Sequence, residues 1–288
     1  IEIVSKTKDT NIENIIIPGF IDLHCHGGNG YDTMAGLSSI KKMSEFHLSK
    51  GTTSLLPTTL TASLDNTLQA LKGFKNFISQ NKYSTNILGI HLEGPFINPN
   101  KLGAQPQQTQ LPNIDFLQKI NEVAIVKVIT LAPELEGIGS LINFAIKNNI
   151  NVQIGHSLAD YDRCKQVMNK NNIGFTHLFN AMSGCDHRHP GVATAALNHA
   201  KYSEIICDLI HVDKANIYLA QKSIPNLYAI SDAISACGMP DGKYNFANLK
   251  IEKKDGRAFI NNNTLAGSVI CMLDTFKNLI KINFSIQQ

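Results

Sequence analysis

His24 and His26 stand two residues apart in Pro-Gly-Phe-Ile-Asp-Leu-His-Cys-His-Gly, at the end of an isoleucine-rich apolar run that reads as a buried strand. Residues i and i+2 of a strand face the same side, so the two imidazoles converge. Converging neutral imidazoles begin a transition-metal site. Four more residues of the same kind follow short apolar runs: Glu93 in His-Leu-Glu-Gly-Pro-Phe, His156 in Gln-Ile-Gly-His-Ser, His177 in Phe-Thr-His-Leu-Phe-Asn-Ala-Met and Asp232 in Ala-Ile-Ser-Asp-Ala. Imidazole nitrogen and carboxylate oxygen suit zinc, iron, nickel or manganese. Such an ion brings the pKa of bound water to about 7 and polarises a carbonyl, which is hydrolytic chemistry. Asp232, after the last strand, is placed to act as general base and then acid. Taken singly, each residue has a plainer role: a hydrogen-bonded histidine, an ion pair or cap for Glu93, a helix cap for Asp232. Taken together at strand ends they read as one site. Asp22 and His91 lie one layer deeper and read as supporting residues, and Cys25 points away from the histidines as a small packed apolar side chain.

The elements that must position these residues alternate along the chain. Strands are expected at 15–23, 52–58, 87–92, 126–131, 151–154, 174–176, 204–207 and 228–231, with helices at 38–50, 65–80, 135–148, 159–171 and 214–222. Eight strands with intervening helices predict a (β/α)8 barrel, whose catalytic groups come from the C-terminal ends of the strands. A doubly wound sheet is the alternative, but no Gly-x-Gly-x-x-Gly follows the first strand. A long loop at 93–113, rich in Pro, Asn and Gln, has a length that points to function. Residues 249–260 read as a hairpin closed at Asp255-Gly256.

The 43% apolar and 17% charged composition is that of a folded, soluble protein, and a net charge of +3 is too small and too dispersed to suggest a nucleic-acid binder. The six cysteines form no CxxC pair, which argues against a disulfide framework and for a reducing, cytoplasmic compartment. No membrane span or signal peptide is expected.

With these runs in view, the chain resembles the N-acetylglucosamine-6-phosphate deacetylases of the amidohydrolase superfamily. The matching segments run in order from Pro18–Gly28 through Gly51–Thr59, His91–Phe96, Gly155–Ser157, Thr176–Met182, Arg188–Gly191, His211–Asp213 and Ser231–Ala233 to Leu265–Ser268. The resemblance implies that Glu93, His156 and His177 hold the principal metal, with zinc the first choice and iron, nickel or manganese the alternatives. It implies that His24 and His26 serve a second ion, giving one or two per subunit, and that Asp232 is the catalytic base. The implied reaction splits the acetamide of N-acetyl-D-glucosamine 6-phosphate into glucosamine 6-phosphate and acetate. Sugar-phosphate contacts are implied for Ala104, Gln105, Asn180, Ala181, His211, Leu265, Ala266 and Gly267. Arg188 would bind phosphate in the neighbouring subunit's site of a homodimer, a task that suits a guanidinium fork.

Two features depart from the family. Gln105 stands where the family has a histidine that helps polarise the acetyl carbonyl. Gln105 can donate a neutral hydrogen bond but cannot become cationic, a loss worth on the order of 10-fold in rate. Residues 1–17 read as a remnant of the family's accessory β-sandwich, with the hydrolase barrel over 18–288 and incomplete at its C-terminal end. The competing readings are an amidohydrolase acting on another amide or a nucleobase, and a non-catalytic metal- or sugar-phosphate-binding remnant.

Overall fold

Short runs of Ile, Val and Leu form the strands because each can bury one side chain in two against surrounding helices while the other points into a shared interior. The computed structural model describes residues 16–80, 85–169, 172–246, 249–260 and 264–285. Eight parallel strands succeed one another: β1 (Phe20–Cys25), β2 (Thr52–Pro57), β3 (Ile90–Glu93), β4 (Val126–Leu131), β5 (Asn151–Ile154), β6 (Gly174–Phe175), β7 (Tyr202–Ile206) and β8 (Asn226–Ile230). Parallel ladders join β1 to β2, run unbroken from β3 to β6, and join β7 to β8. The remaining joints are shorter. Thr58 bridges His91, the Leu178 N–H reaches the Glu204 carbonyl at 2.9 Å, and Cys25 bridges Ala233 to bring the last strand back to the first. This is the ring order of a (β/α)8 barrel. The expected first strand began at Ile15, which lies outside the described residues, as does nearly all of the expected remnant at 1–17.

The helices are α1 (Leu37–Ser49), α2 (Leu64–Ala70), α3 (Phe74–Gln80), α4 (Ile114–Val123), α5 (Ile138–Lys147), α6 (Tyr161–Met168), α7 (Val192–His199), α8 (Lys214–Ser223) and α9 (Met272–Lys281). The helix expected over 65–80 is two helices, because Gly73 at φ +81° cannot continue a right-handed turn. Side-chain caps start several of them: Asn113 on the Phe116 N–H, Asp160 on Arg163 and Asp213 on Ala215. The helix expected from 135 starts at Ile138, and the end of the one expected to 171 falls partly outside the described residues. Helices α4, α7 and α9 lie outside the expected stretches. No helix among the described residues is long and apolar enough to cross a membrane.

Strand parity divides the barrel into two environments. Leu92, Ile129, Leu131, Val152, Ile154 and Ile205 face outward into one continuous core with Phe116, Leu117 and Ile120 of α4 and Leu141, Ile142 and Ala145 of α5. Each such buried side chain contributes about 1.5–3 kcal/mol. The other parity is polar and carries Asp22 and His24 (β1), His91 and Glu93 (β3), Thr130 (β4), Gln153 (β5), Glu204 (β7) and Tyr228 (β8). After β8, a four-stranded antiparallel sheet of β9 (Gly242–Phe246), β10 (Leu249–Lys254), β11 (Arg257–Ile260) and β12 (Thr264–Leu265) covers one side of the barrel mouth. It contains the expected hairpin, with Lys254 paired to Arg257 across Asp255-Gly256.

Candidate active site

The inward residues at the strand ends meet at one point. The Nε2 atoms of His24 and His26 are 3.1 Å apart, and those of His156 and His177 are also 3.1 Å apart. Glu93 lies between the two pairs: Oε1 is 3.2 Å from His156 Nε2 and 3.0 Å from His177 Nε2, and Oε2 is 3.1 Å from His26 Nε2. Asp232 Oδ1 lies 3.4 Å from His24 Nε2 and 3.3 Å from His26 Nε2. All six residues are buried.

The backbone is bent to achieve this. His156, His177 and Asp232 have φ of +48°, +30° and +48°, a left-handed conformation unusual for any residue but glycine. Such strain costs on the order of 1–3 kcal/mol per residue and clusters at functional sites. The turn after Glu93 also depends on a glycine: Gly94 is at φ +74°, and a Cβ there would lie 2.1 Å from Thr61 Oγ1.

The far side of three of the four imidazoles, those of His24, His26 and His156, explains the near side. His26 Nδ1 lies 3.1 Å from the Thr58 carbonyl and His156 Nδ1 lies 2.8 Å from the Lys101 carbonyl, so both nitrogens carry the ring proton. His24 Nδ1 faces Glu204 Oε2 at 2.9 Å. In each neutral ring Nε2 then presents a bare lone pair to other lone pairs and to carboxylate oxygens. Only positive charge makes that arrangement favourable. Zinc–nitrogen bonds of about 2.1 Å place neighbouring ligand atoms roughly 3.0–3.4 Å apart, which matches these separations. Of the groups of metal-ligating type among the described residues, two face each other here, Glu93–His156–His177 and His24–His26–Asp232.

Electrostatics point the same way. Burial opposes charge on His24, but Glu93, Glu204 and Asp232 push its pKa well above the usual 6.5. Burial likewise opposes charge on His26, yet hydrogen bonding to Asp232 and Glu93 raises it to about 9. Burial works against ionisation of Asp232, and the facing histidines still hold it down to about 2. The cluster of carboxylates therefore favours positive charge at its centre.

Glu204, one layer below the strand ends, also supports the site, and a lone carboxylate in the apolar run Tyr-Ser-Glu-Ile-Ile-Cys is its signal in the sequence. It belongs to a buried chain of hydrogen bonds below the site. Tyr228 donates to Glu204 Oε1 (3.3 Å), Gln153 to Tyr228 (2.7 Å) and Thr176 to Gln153 (2.8 Å). Thr130 joins Thr176 to His91 at 2.7 Å on each side. His91 thus has the supporting place expected of it, and burial pushes its pKa down to about 4. Asp22 accepts N–H groups from His24 and Ser231. Cys25 turns away from the histidine pair, with its sulfur 3.2 Å from His47 Nε2.

Above the metal-type residues opens a cavity of about 230 Å³. Of the residues expected to meet substrate, Ala104, Gln105, Asn180, Ala181, His211, Leu265 and Gly267 line it, together with Ile234 and Phe246. Ala266 is instead packed in the core beneath β12. His211 is held by Asp208 through a 2.7 Å contact to Nδ1. The Gln105 amide is directed at Glu93, to which its Nε2 donates. Arg188 is not brought to the cavity: it is exposed, on a turn where Asp186 accepts its backbone N–H.

The Amidohydrolase family model matches residues 15–287. The chain is 36% identical over 278 residues to N-acetylglucosamine-6-phosphate deacetylase of Bacillus subtilis, covering 93% of this chain and 70% of that one. It superposes with a TM-score of 0.87 and 32% identity on the crystal structure of N-acetylglucosamine-6-phosphate deacetylase from Thermotoga maritima, covering 93% and 74% of the two chains. A mutant of the Mycobacterium smegmatis N-acetyl-D-glucosamine-6-phosphate deacetylase, solved in complex with N-acetyl-D-glucosamine-6-phosphate, matches with a TM-score of 0.87 at 29% identity over 94% of this chain and 72% of that one. On the family match, these relatives and the strand-end site they accompany, this chain belongs to the amidohydrolase family.

Proposed function

We propose that the chain hydrolyses the acetamide of N-acetyl-D-glucosamine 6-phosphate to D-glucosamine 6-phosphate and acetate. The observation that carries this reading is the convergence of four imidazole Nε2 atoms on Glu93 and Asp232 at the floor of a small cavity, in a chain related to deacetylases of that substrate. Glu93, His156 and His177 would hold the principal ion, and His24 and His26 would admit a second beside Asp232. Zinc suits this nitrogen–oxygen donor set, and neither set includes a thiolate to favour a softer ion. When bound, the ion lowers the pKa of water and polarises the amide carbonyl.

The protein's own residues supply the proton transfers and the fit. Asp232, ionised at neutral pH, takes the proton of the attacking water and returns it to the leaving amine. Ala104, Asn180, Ala181, Leu265 and Gly267 would surround the sugar, and His211 would close its far side. Arg188, exposed in the single chain, would bind the phosphate in the neighbouring site of a homodimer. The six unpaired cysteines accord with a reducing cytoplasm. Acetate release from N-acetylglucosamine 6-phosphate, its 4-epimer and unphosphorylated N-acetylglucosamine tests the substrate. The phosphorylated sugar is expected to react far faster than the unphosphorylated one; equal rates on those two would refute the phosphate specificity.

A further inference from the structure

Gln105 is tied at both ends of its side chain, in a position buried to all but 7% of its surface. The Thr61 backbone N–H donates to Oε1 at 2.7 Å, and Nε2 donates to Glu93 Oε2. The Thr61 contact fixes which way the amide faces, since an N–H can meet only the oxygen. Swinging the amide towards the cavity would leave both the Thr61 N–H and the Glu93 carboxylate short of a partner, so the observed orientation is the favoured one. The same turn presents a second group to the site. The Lys101 carbonyl accepts from His156 Nδ1, and the Gln105 N–H closes the turn on Leu102 O at 2.8 Å. Gly103 turns the segment at φ +55°, a backbone conformation that favours glycine. Two members of one donor set, Glu93 and His156, are thus held by the segment 101–105.

We propose that Gln105 is a positioning residue for the metal centre, orienting the Glu93 carboxylate for the ion held with His156 and His177, in place of acting on the substrate carbonyl. A neutral amide suits that task better than an imidazole. It fixes the carboxylate by hydrogen bonding without bringing a positive charge that would repel a divalent cation. The inference rests on the proposed metal reading of this site, but not on the identity of the substrate.

The test is a zinc titration of the metal-free protein against a chromophoric chelator, for the parent, Gln105→Met and Gln105→Ala. Methionine keeps most of the volume and removes both hydrogen bonds. Loss of an outer partner of a metal ligand typically weakens binding about 10–100-fold, and that loss is expected for both variants, with the unfolding midpoint of metal-free Gln105→Met close to the parent's. Zinc affinity equal to the parent's, with turnover reduced, would overturn the proposal and return Gln105 to the substrate. A parent that binds no zinc would instead overturn the metal reading, and this role with it.

Discussion

At the scale of single residues, the site works by holding three of its four histidines from the far side. Thr58 O, Lys101 O and Glu204 fix the Nδ1 faces of His26, His156 and His24, so the Nε2 faces meet as candidate ligands. The candidate ligands are legible in the sequence, because His-x-His after an apolar run and acidic or imidazole residues at strand ends are readable patterns. The two carbonyls carry no side-chain signal and could not be read. Nor could the direction of Gln105, which depends on a backbone N–H forty-four residues away. Asp232→Asn separates base from ligand: turnover should fall about 10²–10⁴-fold while metal analysis still finds the ion at Glu93, His156 and His177. Loss of all metal would make Asp232 mainly a ligand. The Asp208–His211 pair gives a pH prediction. Burial opposes both charges, yet each partner favours the other's, so Asp208 lies below its usual 3.8 and His211 above 6.5. His211's contribution is complete below 6.5 and is lost as pH rises through its raised pKa. Asp208's is complete above 3.8 and is lost as pH falls through its depressed one. Thermal melts of Asp208→Asn should therefore differ most from the parent between 3.8 and 6.5, with the gap closing at alkaline pH; a pH-independent gap would argue against the ion pair.

At the scale of elements, the strands were easier to read than the helices. The expected strands 126–131 and 151–154 coincide with β4 and β5, short runs rich in Val and Ile whose described positions are buried apart from Lys127 and Asn151. The break between α2 and α3 turned on one backbone angle at Gly73, and the alanine-rich α7 offers little polar contrast for a periodicity to show. Strand parity then assigns separate roles to neighbouring residues, with outward positions holding the fold and inward ones serving the site. Leu141 of α5 tests that division, being 1% exposed in the outer core and remote from the cavity. Leu141→Ala should cost about 2–5 kcal/mol of stability and leave kcat/KM of the folded enzyme unchanged. A matching loss of catalytic rate would mean that the two layers are coupled.

At the scale of the whole molecule, closing the ring brings the end of β1 against the end of β8, so His24 and His26 meet Asp232 from opposite ends of the sequence. The Asp232 N–H on His24 O (2.9 Å) and the Ala233 carbonyl accepting from His26 N–H (2.9 Å) make that seam. Gly267 completes it from the late loop, at φ +49° and so close that a Cβ would lie 2.9 Å from Asp232 O. Barrel order could be inferred from alternating elements, whereas the place of Arg188 could not, because a single chain leaves it outside the cavity. If Arg188 of the partner subunit serves each site, mixing inactive Arg188→Ala and Asp232→Asn subunits should restore activity, since hybrids contain one site with both groups. No recovery on mixing, with hybrids present, would place the phosphate contact elsewhere.

The central claim is that acetate release depends on a metal held by these strand-end residues. The most direct measurement is the rate of acetate release from N-acetylglucosamine 6-phosphate as zinc is returned to chelator-stripped protein. The rate should be negligible in the stripped protein and rise with zinc to a plateau at one or two ions per chain. Full activity in the stripped protein, or no acetate from the zinc-loaded one, would contradict the account.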